Sequence, residues 1–169
     1  MTITHRDAGP DDAALLADIG TRSFVETFGH LYTPENLEAF LENHSVANWR
    51  EQLSGSDFSV RIVEDDGVAA AFAKVGPPSL PFKTDAKATE LRQFYVLKPW
   101  QGAGIAPVMM DWVMDEARRR GAAELYLSVF IDNHRAQRFY HRYGFEDVGR
   151  YDFMVGSHAD EDIIMRLKL

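Results

Sequence analysis

One stretch constrains this chain more than any other: Gln101-Gly102-Ala103-Gly104-Ile105-Ala106, a glycine-rich turn set between two periodic segments. Upstream, Phe94-Tyr95-Val96-Leu97 is an apolar run that reads as a buried strand. Downstream, Ile105, Val108, Met109, Trp112, Val113 and Ala117 recur at helical spacing and define one face. A strand that ends in such a turn and feeds a helix aims free backbone N–H groups and the positive helix pole at one spot, which suits a phosphate. Two glycines leave that backbone bare enough for close approach. A Walker A loop is excluded because no Gly-Lys-Ser/Thr follows, and a Rossmann fingerprint is excluded because Pro107 stands where its third glycine belongs. Pro107 itself is tolerated, since the first helical turn has no backbone donor to lose. Taken alone, the stretch is equally a plain strand-to-helix turn.

Composition narrows the function classes. The 169 residues suit one domain, 1–169, with a sizeable core. No stretch approaches the ~20 apolar residues of a membrane span, and no basic-then-apolar signal opens the chain, which implies a cytoplasmic location. With no cysteine, disulfides, thiolate metal sites and a cysteine nucleophile are excluded. The six histidines show no metal-ligand spacing, so no metal is expected. The net charge of −8 disfavours nucleic acid and anionic membranes as partners. That charge is uneven: residues 1–58 hold three basic and ten acidic groups, or −7, leaving −1 for the rest.

Read in order, the chain alternates strands and helices. Ile3 to Arg6 forms a first strand, and Asp11 or Asp12 caps a helix that buries Leu15, Leu16, Ile19, Phe24 and Phe28 and ends at Gly29. Thr33-Pro34-Glu35 starts a second helix with Leu37, Phe40 and Leu41 on its apolar face, and Val46 to Leu53 a third. Phe58–Glu64 and Val68–Val75 form a hairpin about Asp66-Gly67, a loop of prolines follows at 76–81, and Ala88–Leu97 leads into the glycine turn. Glu124–Val129 is the next strand, Asn133–Tyr143 the next helix, and Phe145–Val155 with Asp162–Leu169 a closing antiparallel pair. The fold class is α/β, a mixed central sheet flanked by helices in a single domain.

The stretch Val96–Met110 resembles motif A of the GCN5-related N-acetyltransferases, whose Q/R-x-x-G-x-G/A loop is matched by Gln101, Gly104 and Ala106. Leu127-Ser128-Val129 followed by Asn133, Ala136, Phe139-Tyr140 and Gly144-Phe145 resembles motif B of the same family in order and spacing. Outside these motifs, Phe24–Phe28, the segment Thr33–Leu41, and Phe153–Gly156 with Asp162–Met165 are similar to bacterial spermine/spermidine N-acetyltransferases.

The resemblance implies a GNAT-type sheet and transfer of an acetyl group from acetyl-coenzyme A to a primary amine, a polyamine or other small cationic amine, by direct attack in a ternary complex. Carried over, the backbone of Phe94, Tyr95 and Val96 bonds the pantetheine arm, and Gln101, Gly102, Ala103, Gly104, Ile105 and Ala106 hold the phosphates. Asn133 contacts the cofactor or caps the helix it precedes. Tyr140 donates a proton to the leaving thiolate. An alkylammonium with a pKa near ~10.4 needs a base; Glu90 or a water chain is expected to serve, with Arg92 where polyamine enzymes often place a glutamate. Glu26, Phe28, His30 and Tyr32 are expected to wall the acceptor, with Asp160-Glu161-Asp162 adding to them from a loop. A protein N-terminal or lysine acetyltransferase, a non-catalytic acetyl-coenzyme A sensor, and a homodimer all stay open.

Overall fold

The computed structural model describes residues 1–169. Seven strands form one sheet: β1 (Ile3–Asp7), β2 (Ser59–Asp65), β3 (Val68–Gly76), β4 (Ala88–Val96), β5 (Glu124–Phe130), β6 (Glu146–Val155) and β7 (His158–Lys168). Their spatial order is β1-β2-β3-β4-β5-β7-β6. Every neighbouring pair is antiparallel except β4 and β5, so the sheet is mixed, as the sequence implies. Asp66 and Gly67 both take positive φ (49° and 83°), the geometry a two-residue turn needs to match strand twist.

Helices cover both faces. On one lie α1 (Ala13–Phe28), α2 (Pro34–Leu41) and α3 (Val46–Ser54); on the other lie α4 (Ile105–Arg119) and α5 (His134–Arg142). Met109, Met110, Val113 and Ala117 of α4 pack on Ala71, Ala73, Val75, Leu125 and Leu127, and Tyr140 of α5 joins the same core with Ile163 and Met165. Leu16, Ile19 and Trp49 pack on Val60, Ile62 and Phe72 across the sheet. Each such fully buried Leu, Ile or Phe contributes roughly 1.5–3 kcal/mol. Val108 departs from the expected buried face of α4 and is 49% exposed.

The local signals act as their chemistry dictates. Thr33 and Ser45 cap α2 and α3, accepting from the N–H groups of Asn36 and Asn48. The exception is α1: a short turn at Pro10–Asp12 precedes it, and Asp12 stands at its N-cap without a side-chain cap bond, because its carboxylate is held by the Arg6 guanidinium at 2.9–3.0 Å.

Two irregularities shape the centre. β4 and β5 pair only from Ala88↔Glu124 to Glu90↔Tyr126 and then part. Leu91–Val96 therefore keeps β3 on one side and has no strand on the other. In β4, Arg92 is an extra residue between the pairs Leu91↔Val75 and Gln93↔Lys74, and such a bulge bends its strand. β7 begins at His158, so Asp160 and Asp162 are strand residues rather than parts of a loop. The hairpin tip is pinned to α2, where Asn36 Oδ1 accepts from the Ser157 N–H at 2.9 Å.

Candidate active site

A cleft of about 900 Å³ opens where β4 leaves β5, and it runs from the glycine turn to the β6–β7 hairpin. At its first end, Gly102 and Gly104 have φ of 83° and 81°, a left-handed conformation that costs side-chain-bearing residues about 1–2 kcal/mol. A Cβ at either position would meet nothing within 4 Å, so the space in front of this backbone is free for a ligand. Gly104 is the N-cap of α4, and the first-turn N–H groups that follow have no intrahelical acceptor. The turn is braced from outside. Trp100 Nε1 donates to Asp65 at 2.9 Å, Gln101 Nε2 donates to the Val96 carbonyl at 3.1 Å, and Arg135 donates to Gln101 Oε1 at 2.6 Å. Arg135 thus brings a cation to this end, and Arg138 and Arg142 of the same helix also line the cleft.

In the middle, Phe94, Tyr95 and Val96 line the gap with the backbone edge that β5 does not pair. Across it stands Tyr140, packed edge-on against Phe94, Phe139 and Phe145 and only 8% exposed. Burial, with the neighbouring Tyr95 phenol adding to it, raises its pKa well above the usual phenol range. Its hydroxyl therefore keeps its proton at any working pH. Asn133 caps α5, its Oδ1 accepting from the Ala136 N–H at 3.3 Å, while the residue also lines the cleft. The two roles expected for it are geometrically compatible.

The far end is built from side chains. Phe24, Phe28, Tyr32, Phe130 and Phe153 form its walls, and Phe24 stacks on Phe40 at 4.2 Å between ring centroids. Asp160 and Asp162 reach this end from β7; they are 8% and 5% exposed. The Tyr32 hydroxyl donates to Asp160, and His158 Nε2 lies 3.0 Å from its other oxygen. Burial, with Asp160 as a further negative neighbour, pushes the Asp162 carboxyl up to about 7, against a hydrogen bond from Ser128 that pulls it down. The same burial, with Asp160 beside it, raises the Tyr32 phenol above its usual range.

The residues expected to wall the acceptor are brought together, with only Glu161 left outside the cleft. Glu26, Phe28, His30 and Tyr32 all line the cleft. Glu26 is also a structural acceptor, taking the Lys98 backbone N–H at 3.0 Å. Of the ten acids in residues 1–58, Glu26 alone lines the cleft, so the negative charge there comes chiefly from the last hairpin. Ala103 does not line the cleft, and its N–H bonds the Trp100 carbonyl at 3.3 Å.

Glu90 requires a correction. Its carboxylate is 5% exposed and lies outside the cleft. It accepts from the backbone N–H groups of Ser79 and Leu80 at 2.7 and 3.1 Å and from the Ser79 hydroxyl, with Arg92 3.4 Å away. The proline loop at 76–81, whose backbone cannot extend the sheet, closes over this carboxylate and fixes it as a structural anchor. Asp162, expected only as part of an acidic loop beside the acceptor, is instead a buried strand carboxylate. Its signal was present: Asp160 and Asp162 share one parity of a strand whose other parity is Ile163, Met165 and Leu167.

The geometry agrees with known proteins. A family model described as acetyltransferase (GNAT) family matches residues 21–145. An uncharacterized N-acetyltransferase of Mycobacterium tuberculosis is 30% identical over 155 residues, 91% of this chain and 96% of that protein. The PaiA N-acetyltransferase of Thermoplasma acidophilum, solved with coenzyme A, is similar over 100% of both chains, with a TM-score of 0.79 and 20% identity. The spermidine/spermine N-acetyltransferase SpeG of Vibrio cholerae is similar over 99% of this chain and 95% of its own, with a TM-score of 0.67 and 16% identity. The two structural likenesses concern the fold.

Proposed function

This chain belongs to the acetyltransferase (GNAT) family, and from that premise we propose that its acceptor is a small cationic amine, a polyamine or a compound of similar charge. The coarser activity is that of an acetyl-coenzyme A-dependent N-acetyltransferase. The single observation that carries the acceptor reading is the division of charge along one cleft. Arg135 stands at the glycine-turn end, with Arg138 and Arg142 lining the cleft from the same helix, and Asp160 and Asp162 stand, buried among aromatic rings, at the other. The first end suits a nucleotide phosphate; the second suits an ammonium group, which carboxylates and ring faces both attract. The likeness in fold to a spermidine/spermine enzyme is consistent with this reading.

The roles follow from position. The N–H groups of the glycine turn and of the first turn of α4 receive the pyrophosphate, with Arg135 of α5 beside them. The pantetheine arm takes the place of the missing strand along Phe94–Val96, and a backbone N–H there polarises the thioester carbonyl. The amine nitrogen attacks that carbonyl, a C–N bond forms and the C–S bond breaks. Tyr140 gives its proton to the departing sulfur and regains one from the nitrogen that has just become an amide. A thiolate with a pKa near ~8.5 is a fair leaving group, so this donor completes rather than creates the departure. One domain acting in the cytoplasm belongs to the same reading.

The test is thiol release from acetyl-coenzyme A with spermidine, a neutral amine of similar reach, and a peptide with a free N-terminus. Spermidine is expected to react best, with an apparent KM that rises with salt. Preference for the peptide would favour protein acetylation, and binding without release for any acceptor would favour a sensor.

A further inference from the structure

An amine that reaches this cleft as an ammonium, with a pKa near ~10.4, has no lone pair for the thioester. Something in the cleft must take the proton, and three carboxylates line it: Glu26, Asp160 and Asp162. Glu26 is held by the Lys98 N–H, and Asp160 by the Tyr32 hydroxyl and His158. Asp162 has no ion-pair partner, and the Ser128 hydroxyl on β5 only tempers its raised proton affinity. Its register partners are Phe130 on β5 and Tyr151 on β6, which places it on the helix α1 and α2 face of the sheet. We propose that Asp162 is the catalytic base, taking the proton from the acceptor ammonium before that amine attacks. This rests on the amine-acceptor reading and deepens it.

Three features of the surroundings support the assignment. The groups that face Asp162 are Asp160 from its own strand, Tyr151 from β6, Tyr95 from β4, Tyr32 from the turn after α1, and Ser128 from β5. Four can carry only negative charge; the cations of this region, His158 on Asp160 and Arg92 on Glu90, form no ion pair with Asp162. That environment raises its proton affinity to about 7 from the usual 3.8, which narrows the gap to an ammonium by about three powers of ten. Second, Tyr95 is electrostatically coupled to both Asp162 and Tyr140, so base and acid flank the same stretch of β4. Third, Gln93, on the same face of β4 as Tyr95, has a fully buried Oε1 with no donor. It lines the same cleft and would accept an N–H from the bound amine.

The protons balance. The ammonium loses one to Asp162, which later passes it to water. The free amine attacks, and the nitrogen returns a second proton to Tyr140 as the sulfur takes the tyrosine's own. One ammonium and one thioester yield one amide, one thiol and one released proton.

Asp162→Asn and Asp160→Asn, assayed by thiol release with spermidine from pH 5 to pH 10, decide the matter. Asp162→Asn should lower kcat/KM at pH 7 by ~10²–10⁴-fold and leave coenzyme A affinity unchanged. Its deficit should shrink as pH approaches the pKa of the amine, because free amine needs no base. Asp160→Asn removes the neighbouring charge and should move the acid limb of the profile to lower pH. Carboxyl ¹³C titration of the wild-type protein, resonances assigned through the β7 backbone, should show Asp162 with a midpoint near neutrality; this needs no variant to fold. A midpoint below about 5, or an Asp162→Asn profile parallel to wild type, overturns the assignment while leaving the acceptor class intact. Wild-type protein that acetylates no cationic amine refutes the acceptor class itself, and Asp162's role with it.

Discussion

The two ends of the cleft are made of different material. The glycine-turn end is backbone: positive-φ glycines, unpaired helix N–H groups and the open edge of β4. The acceptor end is side chain: rings from α1 and the turn after it, and carboxylates from a strand more than a hundred residues away. A backbone site tolerates many side chains but no added bulk at its glycines. A side-chain site can be retuned by single substitutions and stores its specificity in their charges.

The largest expected effect breaks the backbone end. Gly104→Glu sets a side chain and a like charge where the pyrophosphate would bind, and a Cβ there meets no protein atom. Calorimetry should show coenzyme A binding abolished while the far-ultraviolet spectrum is unchanged. Gly104→Ala carries the same backbone strain without bulk or charge and should bind within about tenfold of wild type, since ~1.4 kcal/mol, within the 1–2 kcal/mol of that strain, is a factor of ten. Equal losses in both variants would assign the effect to strain.

Between the two ends, Tyr140→Phe removes only a hydroxyl. Turnover should fall by ~10²–10⁴-fold with coenzyme A affinity intact. An unchanged rate across the accessible pH range would make Tyr140 a packing residue.

The acceptor end should reveal itself in stability. Asp162 has a folded pKa of about 7, above its unfolded value of 3.8, so wild-type stability declines as pH rises between those values. Asp162→Asn should accordingly melt higher at pH 8 by about 1–3 kcal/mol of stability, a gain that disappears below pH ~4. Equal stability at both pH values would mean that the carboxylate is solvated and unstrained.

The smallest effect separates the faces that carry the two ends. His44 is buried against Gly20 and accepts from Trp49 Nε1 at 3.3 Å, and burial lowers its pKa to about 4 from the usual 6.5. A depressed histidine contributes stability above its unfolded pKa and loses it as pH falls from about 6.5 to about 4. Hydrogen exchange should therefore show α1 and α3 losing protection over that window before α4 does. Simultaneous loss would mean that the two faces unfold as one unit.

How much was legible followed the range of the interactions involved. Turn chemistry and periodicity are local, so the hairpin at Asp66-Gly67, the helix start at Thr33, and the strand–turn–helix around Gly104 could be read from neighbouring residues. The cofactor end lies within one such unit and was visible for that reason. Val108 failed because a helix face predicts direction, and what covers that direction is tertiary.

By itself, then, the sequence determined the alternation of strands and helices and the glycine turn with its free N–H groups, and its family resemblance singled out Tyr140. Tertiary structure decided which carboxylate could do chemistry. Glu90 and Asp162 are both buried acids on central strands, and nothing within a few residues of either tells them apart. The loop at Ser79–Leu80 closes on Glu90 with N–H donors and takes it out of the cleft. The β5–β7–β6 pairing carries Asp162 into the cleft beside a second carboxylate. A carboxylate's reactivity is set by the donors and charges that surround it, and those are assembled here by contacts between residues distant in the chain.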